Sequence, residues 1–198
     1  MDKIILNRKA AVLRDFFASV DAGDLREAAE GIAAQFDLPL DAATDWTEVE
    51  YDFNRLFVGP AAVPAPPYAS AYQAGREQPA LMGEPALEAR RAYERLGLAV
   101  PNQGTTPDDH LAFELDAVVA LDGLDPAGAG NESAQVKAWL IAEHMGAWVP
   151  RFAEAVEGQR GVSAPVAVAV KALTVWLEAA RSEIEAERTG QSLHNDGT

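Results

Sequence analysis

Trp46-Thr47-Glu48-Val49-Glu50-Tyr51-Asp52-Phe53-Asn54-Arg55-Leu56-Phe57-Val58-Gly59-Pro60 is the stretch whose reading decides the fold. Trp46, Val49, Phe53, Leu56 and Phe57 recur at three- and four-residue steps, which places them on one stripe of a helix. Asp45 or Thr44 can cap its start. Gly59-Pro60 ends it, and Ala61-Ala62-Val63-Pro64-Ala65-Pro66-Pro67 cannot be helical, because prolines lack donors and hold their predecessors extended.

Working outward, the helical period persists. Ile5, Val12, Leu13, Phe16, Phe17 and Val20 form a stripe that Asp21-Ala22-Gly23-Asp24 breaks, and a short Ala-rich helix from Leu25 to Phe36 stops before Pro39. A helix from about Pro85 carries Leu87, Ala89, Tyr93 and Leu96, with Gly97 placed to end it. The loop Val100–Pro107 leads to Asp108-Asp109-His110, where Thr106 or Asp108 can cap a helix bearing Leu111, Leu115, Val118, Val119 and Leu121. Asp122–Gly130 reads as a third loop. Glu132 to about Val156 reads as a helix kinked by Pro150, and Pro165 to about Arg188 as the last. No region alternates with a period of two. The spacing therefore predicts an all-α protein, a single globular bundle of about seven or eight helices over residues 1–189, with a polar, frayed tail over 190–198.

The 198 residues are 48% hydrophobic, enough for a real core, and include no Cys. Disulfide scaffolds, thiolate metal sites and a Cys nucleophile are thereby excluded. A formal charge of −15 repels phosphate backbones and anionic lipid, so neither nucleic acid nor a membrane surface is an expected partner, whereas an Arg-bearing peptide would be steered inward. Met1–Arg8 holds no apolar leader and no apolar run reaches the ~18 residues of a membrane span, so a cytoplasmic protein is expected.

Three constellations carry chemistry, and each has a plain structural alternative. Tyr51–Pro60 followed by Pro67-Tyr68-Ala69-Ser70-Ala71-Tyr72 is either a stiff aromatic wall for a peptide or simply core plus a turn. Asp108-Asp109-His110 with Glu114 is either a helix cap or a set of carboxylates for a guest's arginine. Trp139–Pro150, with His144 one turn before Trp148, is either core or the rim of a site. His110, Glu114 and His144 are too few for a closed metal site. No phosphate loop, dinucleotide fingerprint or nucleophile elbow occurs, and a Ser70/His110/Asp109 triad would need adjacent helix residues to converge.

Together and in this order, these stretches resemble the TorD/DmsD family of cytoplasmic chaperones for molybdenum-containing redox enzymes, relatives of the NarJ group. Pro107-Asp108-Asp109-His110 followed by Glu114-Leu115 is the most specific piece, with Leu56-Phe57-Val58-Gly59-Pro60 close behind. The resemblance implies a helical chaperone, not an enzyme and without a cofactor of its own. It would bind the twin-arginine signal peptide of a DMSO/TMAO reductase-type precursor, hold it for molybdenum cofactor insertion, then release it for export. The family's sensitive positions carry over to Phe53, Leu56, Phe57, Pro67, Tyr68, Ser70, Asp109 and His110.

The expected mechanism pairs the guest's guanidiniums with Asp109 and with Glu114 or Asp108, and lays its apolar segment against Phe53, Leu56, Phe57 and Tyr68. The family often has Trp where this chain has Phe53 or Tyr68, and an acid where it has Thr106. Alternatives are a NarJ-like assembly chaperone for a respiratory subunit facing the cytoplasm, and a small acid–base enzyme using Asp109, His110 and Glu114. A homodimer could form by swapping elements through Asp122–Gly130.

Overall fold

Asp21 and Asp45 set two of the helix starts. The carboxylate of Asp21 accepts from the backbone N–H of Gly23 and Asp24, and that of Asp45 from Thr47 and Glu48. In the computed structural model, which describes residues 3–59, 63–73, 82–101, 105–123 and 126–195, the chain is all helical apart from turns and one isolated bridge. The helices are α1 Lys3–Phe17, α2 Ala22–Phe36, α3 Trp46–Phe53, α4 Glu84–Arg95, α5 Leu111–Gly123, α6 Pro126–Ala138, α7 Gly146–Glu157 and α8 Ala164–Asn195. Wider π-helical turns extend α3 over Asn54–Val58 and join α6 to α7 over Trp139–Met145, and a 3₁₀ turn spans Ala69–Tyr72. The all-α reading holds, and the eight α-helices among the described residues agree with the seven or eight expected.

Helix α1 runs through the middle, packed on α2, α5 and α8. Its buried face is Leu6, Ala10, Leu13, Phe16 and Phe17, while Ile5 and Val20 from the expected stripe are exposed. Trp176 of α8 is buried, and its indole N–H donates to the Leu6 carbonyl at 3.0 Å. The aromatic centre is a run of mostly edge-on rings in which Phe17, Phe53 and Phe57 meet Phe16 and Phe152, the Phe57–Phe152 pair being tilted at 38°.

Several boundaries depart from expectation. Helix α1 already stops at Phe17, and Asp21–Asp24, expected to break it, instead starts the next helix, because the Asp21 cap fixes α2 from Ala22. Within Asp122–Gly130, expected as a loop, residues 122–123 belong to α5 and 126–130 to α6, which starts at Pro126, a residue whose fixed φ and missing N–H suit a first helical position; residues 124–125 lie outside the described residues. Pro150 lies inside α7, and the hydrogen-bond pattern changes just upstream, where Gly146 N–H reaches back five residues to Ile141 O in the π-helical turn. Helix α8 continues to Asn195, into the stretch read as a polar tail. Pro60, Gly75, Pro79 and Asn102–Gly104, used in the sequence reading, lie outside the described residues, as do 196–198.

Candidate functional site

The Pro-Asp-Asp-His segment and the proline loop are bound to each other by backbone. Leu111 N–H donates to Pro67 O at 2.9 Å and Ala69 N–H to Asp109 O at 3.2 Å, which pairs Tyr68 with His110 as an antiparallel bridge. The loop's upstream end is held by Ala65 N–H on Leu56 O, so prolines that cannot donate are flanked by residues that do. Pro67 is buried and Tyr68 partly so, its ring edge-on to His110 at 4.9 Å.

Each residue of the motif has its own task. The buried carboxylate of Asp109 accepts the Ser70 N–H through Oδ2 at 2.6 Å, and its Oδ1 is enclosed without a hydrogen-bond partner among the described residues. Burial raises the pKa of this carboxyl, against the hydrogen bonds from Ser70 and the proximity of His144. Asp108 does not cap α5. Its Oδ2 instead takes both Nε and Nη2 of Arg90 from α4, at 2.9 and 2.5 Å, and its carbonyl accepts from Tyr93 Oη. The cap is His110, whose Nδ1 accepts the Ala112 N–H at 3.1 Å, leaving the ring proton on Nε2. Burial pushes the pKa of this ring down to about 4, consistent with a neutral acceptor.

Below the motif, Glu114 on α5 gathers the third constellation. Its side chain is fully buried, with Oε1 2.8 Å from His144 Nε2 and Oε2 accepting the Trp148 indole N–H at 3.1 Å. His144 and Trp148, four residues apart where the π-helical turn passes into α7, share a face and meet one carboxylate. Burial lifts the Glu114 pKa, with His144 and Trp148 pulling the other way. Burial works against a charged His144, but the Glu114 carboxylate beside it wins and holds the ring above its ordinary value.

Trp148 stacks on Tyr72 with ring centres 5.7 Å apart and planes 22° off parallel, and the Tyr72 carbonyl accepts from Arg151 at 2.7 Å. Tyr72 belongs to the turn that Asp109 clips through Ser70. The three constellations thus form one structure: motif, turn, aromatic pair, buried carboxylate. Beside it opens a cavity of about 420 Å³ walled by Tyr72, Trp139, His144 and Trp148, with exposed Glu88, Glu143 and Arg151 at its edge.

Against this geometry, the expected contact residues separate into two groups. Phe53, Leu56 and Phe57 are 3%, 0% and 3% exposed, belong to the core and, unlike Trp148, do not line the cavity beside Tyr72. Ser70, Asp108, Asp109 and Glu114 are buried as well, each bonded internally, so a direct arginine contact with Asp109 or Glu114 is closed in this structure. Asp109 reaches Ser70 by its backbone and not His110, so no triad assembles. Among the described residues no three His, Asp or Glu converge as metal ligands. Trp139 lies in the third constellation, whereas Glu88 and Arg90 carry no sequence signal, since an Ala-rich amphipathic helix such as α4 gives no hint of what its polar face reaches.

Asp109→Ala removes the carboxylate that holds Ser70. The freed N–H loses its partner at a buried position, which costs about 1–3 kcal/mol. We expect faster amide exchange at Ser70 and a weaker Tyr72–Trp148 stack, read by tryptophan fluorescence; unchanged exchange would show that the turn stands without this clip.

Residues 19–154 match the family described as nitrate reductase delta subunit, and the chain belongs to that family. Among its relatives are a chaperone protein TorD of Vibrio cholerae, 31% identical over 111 residues that make up 54% of this chain and 49% of that one. A Tat proofreading chaperone DmsD of Salmonella typhi is 33% identical over 100 residues, 50% of this chain and 45% of the relative. The chain thus spans about half the length of these two relatives. The solved structure of a redox enzyme maturation protein from Archaeoglobus fulgidus shares the fold, with a TM-score of 0.54 at 20% identity over 93% of this chain and 96% of that one.

Proposed function

We propose that this protein is a cytoplasmic maturation chaperone for a molybdenum-containing redox enzyme, and that it binds the twin-arginine signal peptide of the precursor until the cofactor has been inserted. The observation that carries this reading is the cavity beside Tyr72 and Trp148, walled by rigid aromatics and edged by Glu88 and Glu143, on the motifs that relate the chain to TorD and DmsD. Rigid aromatic side chains bury much area at small entropic cost, which suits the apolar part of a signal peptide. The exposed acids at the edge, within a field of net charge −15, attract its arginines.

In this reading the motif residues act at one remove. Asp109, Ser70 and His110 shape the turn that carries Tyr72, and Glu114 fixes Trp148 and His144. Phe53, Leu56 and Phe57 hold α3 and the proline loop in place. Asp109, His110 and Glu114 face different partners and do not form one acid–base set, which argues against the enzymatic alternative. The family's description as a nitrate reductase subunit favours, as a second reading, an assembly role on a respiratory molybdoenzyme without export.

Calorimetric titration with a synthetic twin-arginine signal peptide, beside a version with both arginines changed to lysine, tests the proposal. We expect binding near micromolar, roughly −8 kcal/mol, weaker at high salt and clearly weaker for the lysine peptide. Equal binding of both peptides would mean that the arginines are not read, and no binding of either would favour the second reading.

A further inference from the structure

Arg90 and Asp108 form an ion pair of unusual placement. The Asp108 side chain is 2% exposed and that of Arg90 31%, so the guanidinium sits on the solvent side of the carboxylate and closes it off. Two of its nitrogens converge on a single oxygen, Oδ2. The carboxylate is held from behind, because the Asp108 carbonyl receives the buried Tyr93 hydroxyl and the next residue, Asp109, is pinned to Ser70. It is a fixed, preorganised acceptor whose guanidinium comes from the surface.

We infer that Asp108 is an arginine-recognition subsite that Arg90 occupies in the free protein, and that a guest arginine binds there by exchanging with Arg90. This rests on the signal-peptide reading and adds to it where one arginine goes and what keeps the site closed beforehand. Helix α4 supplies Pro85 and Glu88 to the wall of the aromatic cavity and Arg90 to Asp108. Exchange therefore uncouples from Asp108 the same helix that walls the cavity. Lysine cannot replace the guanidinium equally, since a point ammonium does not offer two donors in a fixed fork. The internal occupant also keeps affinity moderate, because every guest must displace it.

The test compares wild type, Arg90→Gln, Arg90→Lys and Asp108→Asn, titrated with the arginine and lysine peptides, with hydrogen exchange of α4 measured free and bound. Arg90→Gln should bind the arginine peptide about twofold to fivefold tighter, as expected for losing a partly exposed competitor. Arg90→Lys, which retains charge in α4, should fall between it and wild type. Asp108→Asn should lose most of the preference for arginine over lysine. In wild type, the amides of Glu84–Arg95 should exchange faster when the arginine peptide is bound.

Unchanged or weaker binding by both Arg90 variants, with thermal unfolding still cooperative, would overturn the inference while leaving the signal-peptide reading intact. Slower exchange in α4 on binding would also overturn it. If wild type binds neither peptide but Arg90→Gln binds the arginine form, the exchange is supported in its strongest form. If neither protein binds, this inference and the signal-peptide reading fall together.

Discussion

Glu114→Ala is expected to destabilise the fold by about 3–5 kcal/mol, the cost of removing one member of a buried pair and leaving the other uncompensated. His144 loses the oxygen at 2.8 Å and Trp148 Nε1 loses its acceptor at 3.1 Å, both in a nearly closed interior. Urea unfolding followed by circular dichroism reads the loss, and a shift in midpoint worth less than about 1 kcal/mol would show that water or rearrangement satisfies both groups. Glu114→Gln, which retains size and an acceptor, should cost less and makes a pH experiment possible.

The sign of that pH dependence follows from the pair. His144 is held above its ordinary value of 6.5 in the fold, so its contribution is fully present below about pH 6.5 and is lost as pH rises through the folded value. Glu114 is raised above 4.5, so it too favours the fold most at low pH and contributes less as pH rises through its own folded value. His110 acts in the opposite sense, its ring being held at about 4 in the fold, but does so in both proteins and drops out of the comparison. With Gln at 114 the largest raising influence on His144 is gone, and burial, opposed only by the charges of Asp109 and Glu88, shifts the ring down from its wild-type value. The stability difference between wild type and Glu114→Gln should therefore shrink from pH 6 to pH 9; a difference independent of pH would mean that His144 is neutral throughout.

Phe57→Ala should cost about 3–5 kcal/mol of stability through the cavity it leaves among packed rings. Its ring is 5.0 Å from Phe53, 5.6 Å from Phe152 and 5.9 Å from Phe17, and 3% of the residue is exposed. Loss of peptide binding in this variant would then accompany loss of structure, with a lower unfolding midpoint and slackened near-ultraviolet signals. A variant of full stability that fails to bind would instead return Phe57 to the surface of the site. Phe57→Leu, which conserves much of the volume, should restore both properties together.

The helices were legible because burial imposes its period on the sequence wherever one face meets the core. Asp45, Gly97 and the stripe Val49, Phe53, Leu56 and Phe57 left a direct signature. Where the reading slipped, the cause was local chemistry that serves two purposes. Pro126 starts α6 as readily as it would end a loop, and Val20 matches the α1 stripe although that helix stops at Phe17. The motif residues were visible as a group, because acids, His and aromatics at fixed spacing stand out in an Ala-rich chain.

What each does was not visible. Whether an aromatic residue at helical spacing lines a core or a cleft depends on what other helix covers it, and only packing decides that. Whether a carboxylate meets solvent, a backbone N–H or an arginine from a helix 18 residues away, as Asp108 meets Arg90, depends on how the chain returns on itself. The sequence by itself determined the helical class, the family motifs and the acidic field, because periodicity, residue identity and charge are properties of the chain. The tertiary structure alone decided that Phe53 and Phe57 are core, that His110 caps α5, that Asp109 and Glu114 are closed, and that Tyr72 and Trp148 face the cavity. Those outcomes arise from contacts between residues far apart in sequence, where burial and the demand for a hydrogen-bond partner are settled together.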